Sequence, residues 1–436
     1  MKKVTLSLDS SLKEIFTYEE SRAVFDKFLP GMRTMAENQP AALGFSVRKI
    51  IQFSGGAIPG EAADALDAAL CALELYSAEP EMSDTPLTPD GAEVVPEPPR
   101  DAIYPGKVWR DTNGRRIQAH GGALYYDDGV YYWYGENKEK TDKAAGIWHW
   151  GVRYYASTDL YNWEDRGLLI PPVTDDPNSS LHPTSMMDRP HIIYNARTKK
   201  YVCWLKIMEK DQTQTETVLT ADSFFGPYTI VREKLRPLGM SAGDFDLAVA
   251  PDGKAYYFFE RVHSETIIAD LTEDYTDVTG YYSTHFPHKG PPHVREATAH
   301  FIRHGKHYLL TSGTTGYFPN PSEAAMADTW HGPYTVQGDP HIGDKTKTSF
   351  HSQISSVFKV PNKKDLYIAC ADRWMPNAPD YDYTHYGPLY DRLFDPDVEK
   401  TPADWALLAN LPQEDTRNAD YVWLPILFDG DNVKIE

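Results

Sequence analysis

Downstream of residue 117 the chain alternates apolar and polar positions in short Tyr-rich runs. Gly122-Ala-Leu-Tyr-Tyr and Val130-Tyr-Tyr-Trp-Tyr flank Asp127-Asp128-Gly129, and Tyr201-Val-Cys-Trp-Leu, Ala255-Tyr-Tyr-Phe-Phe, His307-Tyr-Leu-Leu-Thr and Leu366-Tyr-Ile-Ala-Cys follow. A period of two, rich in aromatics and bounded by Gly, Asn or Pro-Asp-Gly turns, predicts half-buried hairpin arms rather than helices. The arms recur every roughly 50 to 70 residues, the period expected of a four-stranded propeller blade. A second element recurs with them: Ala156-Ser-Thr-Asp-Leu-Tyr-Asn-Trp163, Ala221-Asp-Ser-Phe-Phe-Gly-Pro-Tyr228 and Ala327-Asp-Thr-Trp-His-Gly-Pro-Tyr334. The expected fold is therefore mainly β, a five-bladed β-propeller, whose closure leaves no long open edge. A β-sandwich fits less well, because the repeats resemble one another.

Upstream the period is helical. Thr17-x-x-Glu20 reads as a capping box ahead of Ala23-Val24-Phe25-x-x-Phe28, and Leu29-Pro30-Gly31 ends that helix. Ser46 opens a second helix through Val47, Ile50 and Ile51, and Pro59 is placed for the first turn of a third that carries Leu66, Leu70 and Leu73. Between these regions stand Pro80, Pro86, Pro89, Pro96, Pro98 and Pro99, which favour an extended segment. The expected organisation is a small all-α domain over residues 1–78, a Pro-rich linker over 79–100 and the propeller over 101–436. The helical domain carries no acid pair, histidine or glycine loop and is expected to serve packing or to pair protomers into a homo-oligomer.

Composition narrows the partners. Sixty-three acidic against 43 basic residues give a formal charge of −20, a field that repels nucleic acid and anionic lipid. Cys71, Cys203 and Cys370 share no metal-type spacing and are expected to be free thiols. No run approaches the 18 apolar residues of a membrane helix, and Met1-Lys2-Lys3-Val4-Thr5-Leu6-Ser7-Leu8 has no secretory apolar core. The expected location is cytoplasmic, or outside the cell if a leader has been removed.

The innermost strands of a propeller deliver residues to one central mouth, so carboxylates far apart in sequence can meet there. Candidates at the heads of such strands are Asp188, Asp244, Asp246, Glu296 and Gln353, with Glu136 at the end of a run. Paired carboxylates flanking a glycosidic bond perform acid/base hydrolysis, one of them kept protonated by its surroundings. Glu296 suits the acid, with Asp188 raising its pKa by like-charge repulsion, while the opposite face of the sugar lacks an evident base. His120 and His351 flank the same strings and are candidates to touch substrate or a central ion. Arg189 is placed to orient a carboxylate or to bind an acidic sugar. Trp109, Trp148, Trp150 and Trp374 are candidates for a sugar-stacking wall. No two-His helix or Cys/His cluster points to a transition metal.

The strings Ile117-Gln-Ala-His-Gly-Gly-Ala-Leu-Tyr-Tyr through Tyr134-Gly-Glu136, Asp188-Arg-Pro-His-Ile-Ile-Tyr-Asn195, Arg295-Glu-Ala, Ser312-Gly-Thr-Thr-Gly-Tyr317 and Tyr421-Val-Trp-Leu-Pro-Ile resemble glycoside hydrolase family 43, over residues 104–436. Within it they are most like the exo-β-1,3-galactanase group. The resemblance implies a five-bladed propeller and an inverting hydrolase acting on terminal β-1,3-linked galactose of galactan or arabinogalactan side chains. It implies Glu296 as general acid, Asp188 as its modulator, and Glu136, Asp246 and Thr314 as holders of sugar hydroxyls. The Asp base of most members is absent at Ala119-His120-Gly121-Gly122, and the group's glutamine corresponds to Gln353, as base or as a positioner of water. No cofactor is implied as a requirement, although some members hold a structural Ca2+ in the channel. Two alternatives stay open: another terminal sugar, arabinofuranose or a modified galactose, or a non-catalytic carbohydrate-binding propeller. The Pro-, Asp- and Tyr-rich excursion over residues 375–419 is expected to wall one end of the cleft and favour exo action.

Overall fold

The computed structural model describes residues 2–37, 46–53, 58–77, 94–395 and 397–436. The chain forms two compact units, Met1–Asp84 and Thr85–Glu436. In the first, the helices Leu12–Ile15, Glu19–Phe28, Met32–Glu37, Val47–Phe53 and Gly60–Cys71 surround a core that includes Ile15, Phe25, Leu66 and Leu70. Two details depart from the sequence reading. The capping box belongs to Ser11 and Glu14, one helix earlier than expected, and Glu19–Phe28 starts after Tyr18 with no side-chain cap. The unit also holds an antiparallel pair, Lys2–Val4 with Leu75–Ser77, whose three-residue strands are too short to show alternation. The first part of the expected linker, residues 78–93, lies outside the described residues. Its end is tied to the propeller, for the Val95 N–H donates to Gly114 O and the Arg100 N–H to Asn162 Oδ1.

The second unit is the five-bladed propeller, five antiparallel sheets of four strands each. Blade 1 comprises His120–Asp127, Val130–Glu136, Val152–Ser157 and Glu164–Ile170; blade 2 Met186–Asn195, Lys200–Met208, Gln214–Ala221 and Thr229–Leu235; blade 3 Ala242–Val249, Ala255–Arg261, Glu265–Leu271 and Val278–His285. Blade 4 comprises Glu296–Arg303, Lys306–Ser312, Glu323–Ala327 and Thr335–Gly338; blade 5 Gln353–Lys359, Tyr367–Arg373, Asp420–Asp429 and Asn432–Ile435. The first strand of every blade touches the first strands of both neighbours, which closes the ring 1-2-3-4-5-1.

Each blade is built from consecutive strands, so side chains rather than a shared strand join blade 1 to blade 5. Trp133 packs on Trp109 and Trp423 with ring centroids 5.3 and 4.4 Å apart, Arg116 pairs with buried Asp420, and the Ala119 N–H donates to Tyr421 Oη at 2.9 Å. Among the described residues no helix is long and apolar enough to cross a membrane.

Each first strand breaks its pairing register: at His120/Ala123, Asp188/His191, Ala242/Phe245, Glu296/Ala299 and Ile354/Ser356. A bulge inserts a residue, interrupts the in/out alternation and re-aims the neighbouring side chains. Arg189 and Ala297, at φ 55° and 50°, are part of these kinks.

Between blades 2 and 3, Glu216 is fully buried, accepts a 2.8 Å hydrogen bond from Tyr257 Oη on one oxygen and has no partner on the other. Burial pushes its carboxyl well above the usual range, with Tyr257 and Lys206 opposing. Because the folded pKa exceeds the unfolded one, the protonated group favours folding at low pH and the contribution is lost as pH rises, by about 1.4 kcal/mol per pH unit within that window. Glu216→Gln, a neutral isostere, is therefore expected to be more stable than the parent at pH 8, with the gap closing toward pH 4.5; urea titrations at both pH values check it.

Candidate active site

A cleft of about 670 Å³ in the propeller unit is lined by five carboxylates, Glu136, Asp188, Asp244, Glu260 and Glu296, together with Gln353. Buried lysines organise the side formed by blades 1 and 2. Lys138 Nζ lies 2.9 Å from Glu136 Oε2 and 3.1 Å from Asp188 Oδ1, and Trp148 Nε1 donates to the same Asp188 oxygen at 2.8 Å. Lys206 Nζ donates to Asp244 Oδ1 at 2.7 Å and lies 3.5 Å from Asp188 Oδ2. The Arg189 N–H donates to Glu136 Oε1 at 2.8 Å, while its guanidinium donates to Asp244 Oδ2 at 2.7 Å and Gln353 Oε1 at 2.8 Å.

These contacts separate the carboxyls. Burial works against ionised Asp188, but Lys138, Lys206 and the Trp148 N–H overcome it and hold Asp188 below the usual carboxylate range. Burial likewise opposes Asp244, yet Arg189 and Lys206 keep it low. Glu136 is pushed up to about 7 by burial, with Lys138 opposing and Asp188 adding. Glu296 is raised well above the usual range by burial and then by the charges of Asp244 and Glu260. Asp244 and Glu260 thus take the repulsive role expected of Asp188, whose closest charged partners are cations.

Gln353 is held at four points. Its Oε1 accepts from Arg189 and, at 3.1 Å, from Trp374 Nε1; its Nε2 donates to Ser312 Oγ at 2.9 Å and to Glu296 Oε1 at 3.3 Å. Thr314 lines the cleft and is fixed by a bond from its hydroxyl to Val294 O.

The cleft therefore gathers Glu136, Asp188, Arg189, Glu296, Thr314 and Gln353, with Trp148 and Trp374 as aromatic walls. It does not gather Asp246 or His120. Asp246 turns to His191, 2.9 Å from Nδ1, and accepts the His300 N–H at 2.7 Å. His120 is fully buried, stacked on Tyr421 and 3.0 Å from Asp372 Oδ1. His351 stands outside the cleft lining, Trp109 belongs to the packing between blades 1 and 5, and the Trp150 ring is covered by Lys140 Nζ at 3.8 Å.

Sequence reasoning missed Lys138, Lys206 and Glu260. A signal existed for two of them: Lys206 interrupts the apolar run Tyr201 to Ile207, and Glu260 ends Tyr257-Phe-Phe as Glu136 ends Tyr131-Trp-Tyr-Gly. A charged group in a strand otherwise made for burial needs a partner. A channel Ca2+ would need six to eight oxygen ligands, whereas Asp246 and Asp372 spend their oxygens on histidine and backbone N–H groups. Among the described residues no three His, Cys, Asp or Glu side chains form a metal-holding group. The donor set does not fit the ion.

The sequence model described as "Glycosyl hydrolases family 43" matches residues 120–387. Similar solved structures include a family 43 β-1,3-galactosidase at 28% identity and TM-score 0.61, covering 76% of this chain and 61% of that one. A second β-1,3-galactosidase of the family, solved with galactodeoxynojirimycin, has 27% identity and TM-score 0.60 and covers 76% of this chain and 98% of that one. An exo-β-1,3-galactanase from Phanerochaete chrysosporium, solved with galactose, has 23% identity and TM-score 0.60, with 77% and 66% covered, and supports the fold alone. The chain spans 61% of the length of the first of these. No curated protein matches it.

Proposed function

The chain belongs to glycosyl hydrolase family 43, and on that premise we propose that it is an inverting, exo-acting hydrolase of terminal β-1,3-linked galactose on galactan or arabinogalactan side chains. The observation that carries the reading is Glu296, recessed in the cleft and raised well above the usual carboxylate range. A carboxyl kept neutral near pH 7 can give its proton to the departing oxygen. The Gln353 N–H aims at Oε1, which leaves Oε2 to carry the proton toward the substrate. Trp148 and Trp374 offer faces on which a sugar ring can stack.

Two features support removal of chain ends. The excursion over residues 375–419 folds into helices Tyr383–Phe394 and Pro402–Ala409, and Trp374, Met375, Tyr381 and Tyr390 pack with Tyr317 and Phe318 into a wall. Phe394, from the end of the first of these helices, reaches the cleft lining. Galactose is favoured by the two solved β-1,3-galactosidases, which exceed one quarter identity.

The test is a panel of aryl β-galactosides, α-arabinofuranosides and β-1,3-galactobiose with the product followed by NMR. The expected result is cleavage of the galactosides with α-galactose appearing first; β-galactose first, or cleavage of arabinofuranosides alone, would refute the reading.

A further inference from the structure

We infer that Glu136 is the general base of this reaction, the carboxylate that takes the proton from the attacking water. The inference rests on the inverting reading above. In such a displacement the water attacks the face of the sugar opposite the leaving group, and its base stands about 6.5–9.5 Å from the acid.

Gln353 cannot occupy that place, for its Nε2 is 3.3 Å from Glu296 Oε1, on the acid's own side. Nor is it free to act as a base. Arg189 and Trp374 have only hydrogens to offer its oxygen. An imidic acid tautomer, which carries a hydrogen on that oxygen, would face two donors and no acceptor. Gln353 is thus a positioning residue for Glu296, locked as an amide.

The ring geometry points to the opposite wall. In a closed ring of five, blades 3 and 5 flank blade 4, which carries Glu296, so the junction of blades 1 and 2 faces it across the axis. Two cleft carboxylates stand there, Glu136 on blade 1 and Asp188 on blade 2. Asp188 accepts from Lys138 and Trp148 on one oxygen and faces Lys206 with the other, which makes it a weak proton acceptor. Glu136 takes one N–H, that of Arg189, on Oε1, while its Oε2 lies in an ion pair 2.9 Å from Lys138 and is otherwise unpartnered.

The backbone makes room for this carboxylate. Gly121, at φ +61°, stands where a Cβ would lie 2.3 Å from Glu136 Oε1. Burial also lifts Glu136 to about 7, the range in which a base is both ionised and effective near neutrality.

In the step, the water oxygen bonds to C1 from the α face as its proton passes to Glu136, the C1–O bond to the departing sugar breaks, and the Glu296 proton goes to that oxygen. Exchange with solvent then resets both carboxyls.

Azide, a nucleophile with no proton to lose, distinguishes this base from a residue that merely holds hydroxyls. With 4-nitrophenyl β-galactoside, Glu136→Ala is expected to lose about 10²–10⁴-fold in hydrolysis. Sodium azide should then restore turnover with α-galactosyl azide as the product, whereas Gln353→Ala should gain nothing from azide. Rescue of Gln353→Ala, or no rescue of a Glu136→Ala protein that still melts cooperatively and binds galactose, would overturn the inference. If Glu136→Ala does not fold, Glu136→Gln takes its place: it should lose the acid limb of the kcat/KM profile, and a retained limb would equally overturn it. If the parent cleaves arabinofuranosides but not galactosides, the sugar assignment alone fails and the same comparison is run on the aryl glycoside it cleaves. Cleavage of none would remove both.

Discussion

Glu296→Gln is expected to lower kcat on β-1,3-galactobiose by about 10²–10⁴-fold, the usual worth of a general acid, while the protein still folds and binds galactose. Gln has the shape of a protonated Glu, so the contact with Gln353 Nε2 at 3.3 Å is kept and only the transferable proton is removed. A 2,4-dinitrophenyl galactoside, whose leaving group departs without protonation, should lose far less. The alkaline limb of the parent's kcat/KM profile reports Glu296 losing its proton, since burial and the charges of Asp244 and Glu260 raise this carboxyl; in the variant that limb should disappear. Equal losses on the two substrates would mean that Glu296 shapes the cleft rather than supplying a proton.

Much of the propeller is legible in the sequence because second strands such as Val130–Glu136 and Ala255–Arg261 are buried and aromatic-rich. The repeated Ala-to-Trp/Tyr segments are the passages from third to fourth strand in blades 1, 2 and 4. Outer strands are harder to read: Thr229–Leu235 and Val278–His285 are mostly exposed and carry little apolar pattern.

The site shows the same division. Asp244 and Asp246, two apart on one strand, should share a face, but the register break between Ala242 and Phe245 sends Asp244 to the cleft and leaves Asp246 against His191 and His300. Alternation carries no mark of such a bulge. His120 heads a first strand as Glu296 does, yet Asp372 and Tyr421 from blade 5 claim its ring, and a partner some 250 residues away (|i−j| 252 for Asp372) leaves no trace in local pattern. The lysines that set the carboxyl pKa values were hidden for the same reason: their partners lie on different strands or blades.

Lys138 shows what that hidden partner does. It is almost wholly buried, its Nζ 4.6 Å from the centre of the Trp148 ring and within reach of both Glu136 and Asp188. Lys138→Met keeps the apolar length and removes the cation. Breaking a buried ion pair from one side costs about 3–5 kcal/mol, and here Lys206 and Trp148 still hold Asp188, so Glu136 bears the change. In the parent its folded pKa of about 7 already exceeds the unfolded value, and stability from its bound proton fades as pH rises through that window. Without Lys138 the folded pKa moves higher still, and more work is needed to keep Glu136 neutral or to bury its charge at alkaline pH. The stability loss should therefore be on the order of 3 kcal/mol at pH 8 and clearly smaller at pH 5.5, as read by urea unfolding. Activity should follow the same carboxyl, with the acid limb of kcat/KM shifted upward and turnover at pH 7 strongly reduced but partly recovered at pH 9. A loss of stability that does not change between pH 5.5 and 8, with an unmoved acid limb, would mean that Lys138 serves packing against Trp148 and not the charge of Glu136.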